Sequence, residues 1–278
     1  MRVVFLGTAA YEGHPNVFCD CENCRKVMEA GSRNFRLTSA VHVDNDLLID
    51  FGPNIMAGAH EAGVTLFNVK TLLITHSHSD HLYLPNFGYR MNRYNASYDR
   101  LPTLTILANS TVLSMISSSL YFDPDKTVLI EAEPYKEVVV NGCSIFPVPA
   151  VHKVKEGEQP YLFLLKKGGK SFFYATDTGP IDESSLKLLR EFLDDPVDIV
   201  ALDSTLGFMK EITFPYHHTA EQVITTMHKM REIGIIDGSS LLVAHHFSHY
   251  PNPPQRDLEE FYGRFGISVA SDGLLLDI

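Results

Sequence analysis

The chain has 278 residues, 45% of them hydrophobic and 21% charged, enough apolar material for one large domain or two small ones. Its formal net charge of −11 argues against sequence-independent binding of nucleic acid, which needs a basic face. No stretch reaches the roughly 18 apolar residues of a membrane span, and the amino terminus is too briefly apolar for a signal peptide, so a cytoplasmic protein without membrane contacts is expected.

Val3 to Leu6 reads as the first strand. After it comes Cys19-Asp20-Cys21-Glu22-Asn23-Cys24. In an intracellular chain these thiols are not read as disulfides. Their spacing can wrap three thiolates around one tetrahedral ion and leave a fourth ligand to come from elsewhere, with unrelated reduced thiols as the alternative. Cys143, alone in a strand-like stretch, reads as a small buried hydrophobe.

Ala40 to Val43 and Leu47 to Ile49 read as strands, followed by Asp50-Phe51-Gly52-Pro53 and a helix or loop around Asn54 to Ala62. Val69 to Ile74 is a short β-branched run typical of a buried strand. It runs directly into His76-Ser77-His78-Ser79-Asp80-His81. In extended backbone, residues two apart share a side, so His76 and His78 face together. Asp80 and His81 follow as the chain turns and can face a second ion. Imidazole and carboxylate suit zinc, manganese or iron, and such sites stay open to water or substrate. A histidine-rich exposed loop is the alternative, but strand ends are where α/β folds concentrate their sites. Residues 82–102 carry Tyr83, Phe87, Tyr89, Tyr94 and Tyr98, and form either a pocket wall or an aromatic surface patch.

Further strands are expected at Thr103 to Ala108 and Val128 to Glu131. Glu137 to Val140 and Ser144 to Val148 pair across Asn141-Gly142, and Tyr161 to Leu165 and Ser171 to Ala175 pair across Gly168-Gly169. Asp182 opens a helix to Phe192, and Val197 to Leu202 is a buried strand. Thr219-Ala220-Glu221-Gln222 is a capping box for a helix to about Ile233. Leu241 to Ala244, a helix over Asp257 to Phe265, and a strand at Leu274 to Leu276 complete the chain. Hairpins followed by alternating strands and helices favour a sheet-on-sheet core with helices outside. Three of the strands end on a metal-capable residue: Val148-Pro149-Ala150-Val151-His152, Tyr174-Ala175-Thr176-Asp177 and Val243-Ala244-His245-His246.

These strand-end residues, together with the HxHxDH run, resemble the pattern of the metallo-β-lactamase superfamily over nearly the full length, with Asp50 matching an early acidic position. The resemblance implies a four-layer αββα sandwich in one domain over residues 1–278. It places one divalent ion, zinc or manganese, on His76, His78 and His152 and another on Asp80, His81 and His246, with Asp177 bridging. Gly7-Thr8-Ala9 and the cysteine cluster are similar to the phosphoribosyl cyclic phosphodiesterases of phosphonate breakdown, and the quinone-cofactor biosynthesis protein B family shares the cysteines. In the phosphodiesterases a distant histidine completes a structural zinc site; by that resemblance His218 joins Cys19, Cys21 and Cys24. His218-Thr219-Ala220 also resembles a motif of tRNA 3′-processing endonucleases, in which that histidine aids catalysis.

Two such ions, roughly 3.5–4 Å apart, would hold a bridging hydroxide for in-line attack on phosphorus. The departing alkoxide needs an acid; His249 is the first choice and His217 the reserve. The phosphodiesterases carry a histidine soon after the strand ending here in Leu202-Asp203-Ser204-Thr205, where this chain has Leu206-Gly207-Phe208. The expected substrate is a small phosphodiester, such as a cyclic ribose phosphate. A tRNA 3′-processing endonuclease and a non-hydrolytic quinone-cofactor protein are the alternatives. Against the endonuclease stand the acidic balance and the short interval from His152 to Asp177. A homodimer is compatible with the resemblance, although no segment marks an interface.

Overall fold

The computed structural model describes every residue except Thr213. The first half of the chain builds β1 (Arg2–Gly7), α1 (Glu22–Ala30), β2 (Ala40–Val43), β3 (Leu47–Ile49), α2 (Ile55–Glu61), β4 (Thr71–Leu73), β5 (Leu104–Ala108), α3 (Ser110–Ser117) and β6 (Thr127–Glu131). The second half builds β7 (Val138–Val140), β8 (Cys143–Pro149), β9 (Tyr161–Lys167), β10 (Lys170–Ala175), α4 (Glu183–Phe192), β11 (Ile199–Asp203), α5 (Ala220–Glu232), β12 (Leu241–His245), α6 (Gln255–Gly263) and β13 (Ile267–Val269). The last strand, β14 (Leu275–Asp277), returns to pair with β1. Two mixed sheets of seven strands result, ordered β14-β1-β2-β3-β4-β5-β6 and β13-β12-β11-β10-β9-β8-β7.

Side-chain alternation along the strands explains why the sheets stack. In β1, Val3 and Phe5 face the second sheet, where they meet Phe163, Phe172, Tyr174 and Val243; Val4 and Leu6 face the other way. In β10, Phe172 and Tyr174 point between the sheets while Phe173 and Ala175 lie under the outer helices. The parallel strands are apolar on both faces because both are covered. Ile55 of α2 and Val112 and Ile116 of α3 cover the first sheet; Leu186 and Leu189 of α4, Val223 and Met227 of α5, and Leu258 of α6 cover the second. The architecture is the expected four-layer αββα sandwich. No described helix is long and apolar enough to cross a membrane.

Several local expectations hold in detail. Asn141 and Gly142 take φ of 49° and 79°, the left-handed pair a two-residue hairpin requires. Thr219 and Gln222 form a reciprocal capping box on α5. Asp182 lies just outside α4 as its cap, accepting from Ser185 N at 3.0 Å. The Val69 run is strand only over Thr71–Leu73, and α6 begins earlier and ends earlier than its pattern suggested. Helices α1 and α3 and strand β13 had no sequence reading. The 82–102 segment forms three short 3-10 turns and roofs an apolar cavity of about 250 Å³ over the first sheet, lined by Phe51, Ile55, Leu72 and Tyr89. It therefore walls a pocket, but not the one at the histidines.

Candidate metal centre

Ligand-capable side chains gather where β4, β10, β11 and β12 leave their sheets, joined by His152 beyond β8. The HxHxDH run begins three residues after β4. Its loop is pinned to the chain after β3: Phe51 N donates to His81 O at 2.7 Å, and a Cβ on Gly52 would sit 1.8 Å from Asp80 O. Only glycine permits that approach. Glu158 holds the loop from the other side, accepting from Ser77 N at 2.7 Å and Ser77 Oγ at 2.6 Å.

Of three overlapping sets of four His/Asp donors, each with its donor atoms within 4.8 Å of one another, two match the expected ligands and the third joins Asp203 and His217 to Asp177 and His246. Of the matching two, one comprises His76, His78, His152 and Asp177; the other Asp80, His81, Asp177 and His246. Asp177 belongs to both. One of its oxygens lies 3.3 Å from His76 Nε2 and 2.6 Å from His81 Nε2, while the other lies 3.3 Å from His246 Nε2. His78 Nδ1 and His152 Nε2 face each other at 3.2 Å. Asp177, His246 and Asp50 all adopt positive φ, of 48°, 62° and 64°. Such backbone costs about 1–3 kcal/mol per residue and persists where the surroundings over-determine it. For His246 the turn matters: its neighbour His245 is buried against Phe5, with ring centroids 5.1 Å apart, while His246 is turned towards Asp177.

The environment favours cation binding. His76 Nε2, His246 Nε2 and Asp80 Oδ1 are buried without a hydrogen-bond partner among the described residues, which is costly unless an ion completes them. Burial and repulsion from His81 hold the His76 imidazole well below its ordinary value, so it stays neutral with a lone pair to give. Burial would raise Asp177, but the neighbouring His246, His152 and His81 imidazoles hold it well below the carboxylate range. Burial would lower His81, yet Asp80, Asp50 and Asp177 raise it well above its usual value. Carboxylates crowded around one buried ring demand positive charge. Divalent cations fit these donors.

A further layer orients the ligands. Asp50 Oδ2 meets His81 Nδ1 at 2.7 Å, while its Oδ1 accepts from Thr75 N and Oγ1, both at 2.9 Å. Thr75 Oγ1 lies 3.0 Å from His76 Nδ1, and Thr205 Oγ1 lies 2.7 Å from His246 Nδ1. Asp203, fully buried at the end of β11, had no role assigned from sequence. It accepts from Thr205 N and His218 N and lies 3.0 Å from His217 Nδ1. Its signal was present: β11 ends in aspartate, just as the β10 segment does. Burial lowers the His217 pKa, but the Asp203 carboxylate raises it more, to about 9. His217, Glu12, Tyr11, Leu206, Phe214 and Ser248 join the metal-facing donors in lining a cleft of about 450 Å³.

Two sequence assignments are overturned. His218 does not reach the cysteines: it is fully buried beneath α5, its Nδ1 on Thr178 O at 2.7 Å and its Nε2 on Thr226 Oγ1 at 3.0 Å. The residue beside Cys19, Cys21 and Cys24 is His249, with Nδ1 3.3 Å from Cys24 Sγ and 3.7 Å from Cys21 Sγ. His249, first expected to be the proton donor, thus stands with the cysteines and is not among the residues that line the cleft. The cause lies in the bend after β12. Phe247 N donates to Thr8 O and Ala10 N to Phe247 O, which ties the bend to the start of the chain and carries His249 to α1. Burial pushes the Cys24 thiol up to about 12, whereas the Cys24 amide and His249 outweigh burial at Cys21 and bring it to about 7. Three sulfurs and one imidazole match a closed structural zinc site.

Solved structures share this arrangement at the level of fold. A new diphosphatase of the PhnP family superposes with a TM-score of 0.75 at 21% identity, covering 100% of this chain and 97% of the other. Zn(2+)-bound PqqB from Methylobacterium extorquens gives 0.76 at 20% identity and 100% coverage of both chains. The human short-form tRNase Z gives 0.64 at 16%, covering 100% of this chain and 99% of its own. No curated protein matches the sequence significantly. The sequence profile of the beta-lactamase superfamily domain matches residues 45–247, which include every member of both donor sets, and the chain belongs to that superfamily.

Proposed function

We propose that the protein is a metal-dependent hydrolase of small phosphodiesters, such as a cyclic ribose phosphate, acting as one domain over residues 1–278. The observation that carries this reading is Asp177, a buried carboxylate shared between two donor sets at an open cleft. His76, His78, His152 and Asp177 would hold one zinc or manganese ion, and Asp80, His81, Asp177 and His246 the other. Such ions supply Lewis-acid polarisation of a phosphoryl oxygen and an ionised water near neutral pH.

The chain's own residues complete the chemistry. Asp50 and Thr205 fix the ring orientations of His81 and His246. Asp203 holds the Nδ1 side of His217, whose ring stands at the cleft with a proton to give. His217 passes that proton to the departing alkoxide, the task first assigned to His249. Cys19, Cys21, Cys24 and His249 would hold a structural zinc that ties the amino-terminal loop to the bend after β12. Free, reduced thiols are consistent with a cytoplasmic setting.

The interval between His152 and Asp177 is filled by the β9–β10 hairpin, which supports a small substrate over a gripped RNA. The test is a substrate screen with added manganese or zinc. Cyclic phosphates and linear diesters are expected to turn over; hydrolysis of thioesters alone would sink the reading.

A further inference from the structure

The cleft has a charge pattern of its own. Among the described residues, none of its lining side chains is a lysine or arginine, and Glu12 is the one lining carboxylate that belongs to neither expected ligand set. Glu12 is not a loose surface charge. Its side chain is only 25% exposed, its Oε1 accepts from Ser248 Oγ, and it lies 3.8 Å from His249 Nε2. Gly13 N donates to Ala10 O across the turn that carries it.

A carboxylate held in a partly desolvated cleft, with no lysine or arginine among the described lining residues, repels a second anion on an entering ligand. Its remaining lone pairs accept from hydroxyl groups. Tyr11 and Phe214, 69% and 41% exposed, offer apolar ring surface in the same cleft.

We propose that Glu12 is the specificity residue of this cleft. It selects phosphodiesters whose only negative charge is the reacting phosphoryl group and whose flanking group is an uncharged, hydroxyl-bearing sugar. It rejects those bearing a second phosphate. The inference rests on the phosphodiesterase reading and narrows it, favouring nucleoside diesters over phosphorylated sugars and nucleoside polyphosphates.

The test uses the metal-loaded full chain and two substrates that differ by one phosphate: the p-nitrophenyl ester of thymidine 5′-phosphate, and the same ester bearing a 3′-phosphate. The native protein is expected to favour the first in kcat/KM by about a hundredfold. E12Q keeps an acceptor for Ser248 but loses the charge, and is expected to cut that preference about tenfold. Calorimetric Kd values for adenosine 5′-monophosphate and adenosine 3′,5′-bisphosphate should show the same change in ratio. Unchanged ratios in E12Q, with diester turnover present, overturn the role of Glu12 and leave the phosphodiesterase reading standing. Loss of metal from E12Q assigns Glu12 to supporting His249 and overturns the selectivity. A native protein that cleaves neither ester overturns the phosphodiesterase reading and the Glu12 assignment together.

Discussion

The histidine–aspartate centre and the cysteine cluster use related donor chemistry but stand on different supports. Donors of the first project from segments leaving β4, β8, β10 and β12; five of the seven are buried, and Asp50, Thr75 and Thr205 hold three of the rings. The second is built on a loop and the first turn of α1, where Cys21 is the helix cap, and Cys19, Cys21 and His249 are only partly buried. The sandwich core supports one geometry; the other rests on fewer buried neighbours and would depend more on a bound ion. Metal removal should therefore loosen the cysteine region while leaving the sheets, and the placement of Asp177, intact.

The largest effect should fall on the shared carboxylate. Asp177→Ala is expected to lower turnover of bis-p-nitrophenyl phosphate on the order of a thousandfold while melting remains cooperative by circular dichroism. Native rates in this variant would remove Asp177 from the centre. His217→Ala should cost about a hundredfold with alkyl leaving groups and much less with p-nitrophenolate, which leaves without a proton. Equal losses on both esters would deny His217 its proton.

On the other side of the comparison, His249→Ala should release one metal equivalent per chain and lower stability on the order of 3 kcal/mol. His218→Ala should keep the full metal complement, because its ring bonds Thr178 and Thr226 instead. Metal loss from the His218 variant but not the His249 variant would reverse the assignment.

The smallest effect calibrates the rest. Asp182→Ala, which removes the cap of α4 and touches no member of either cluster, should cost about 1 kcal/mol in denaturant melts. Hydrogen bonds from Ser184 and Ser185 pull Asp182 down from 3.8 to about 2. Because the folded value is the lower, its contribution is complete above about pH 4 and is lost as pH falls towards 2. A deficit in the variant that stays constant across that window would contradict the capping role.

What the sequence disclosed followed from how locally each feature is encoded. The HxHxDH run, Asp177 and His246 are each announced by the apolar strand before them, because burial of that strand and exit of the ligand are one pattern. The capping box at Thr219 is likewise written in four consecutive residues. The partner of the cysteines is not local. Cys24 and His249 are 225 positions apart, and five other histidines, from His217 to His246, lay near enough in sequence to compete. Choosing among them required the bonds from Thr8 and Ala10 to Phe247, which no spacing reveals. Asp203 is delivered by an apolar strand just as Asp177 is, but it escaped because its role lies in a contact with His217, 14 positions away, that spacing does not reveal. Helix α1 was hidden by the cysteines on it, since Cys21 serves as both cap and donor.

The bend after β12 has a consequence for how such a chain can change over time. His246 and His249, three positions apart, belong to different donor clusters, and Ser248 between them reaches Glu12. Inserting or deleting one residue here would throw at least one of those side chains out of register. Length drift should thus be tolerated in the hairpin turns far from this segment and purged from it, even though its backbone belongs to neither sheet.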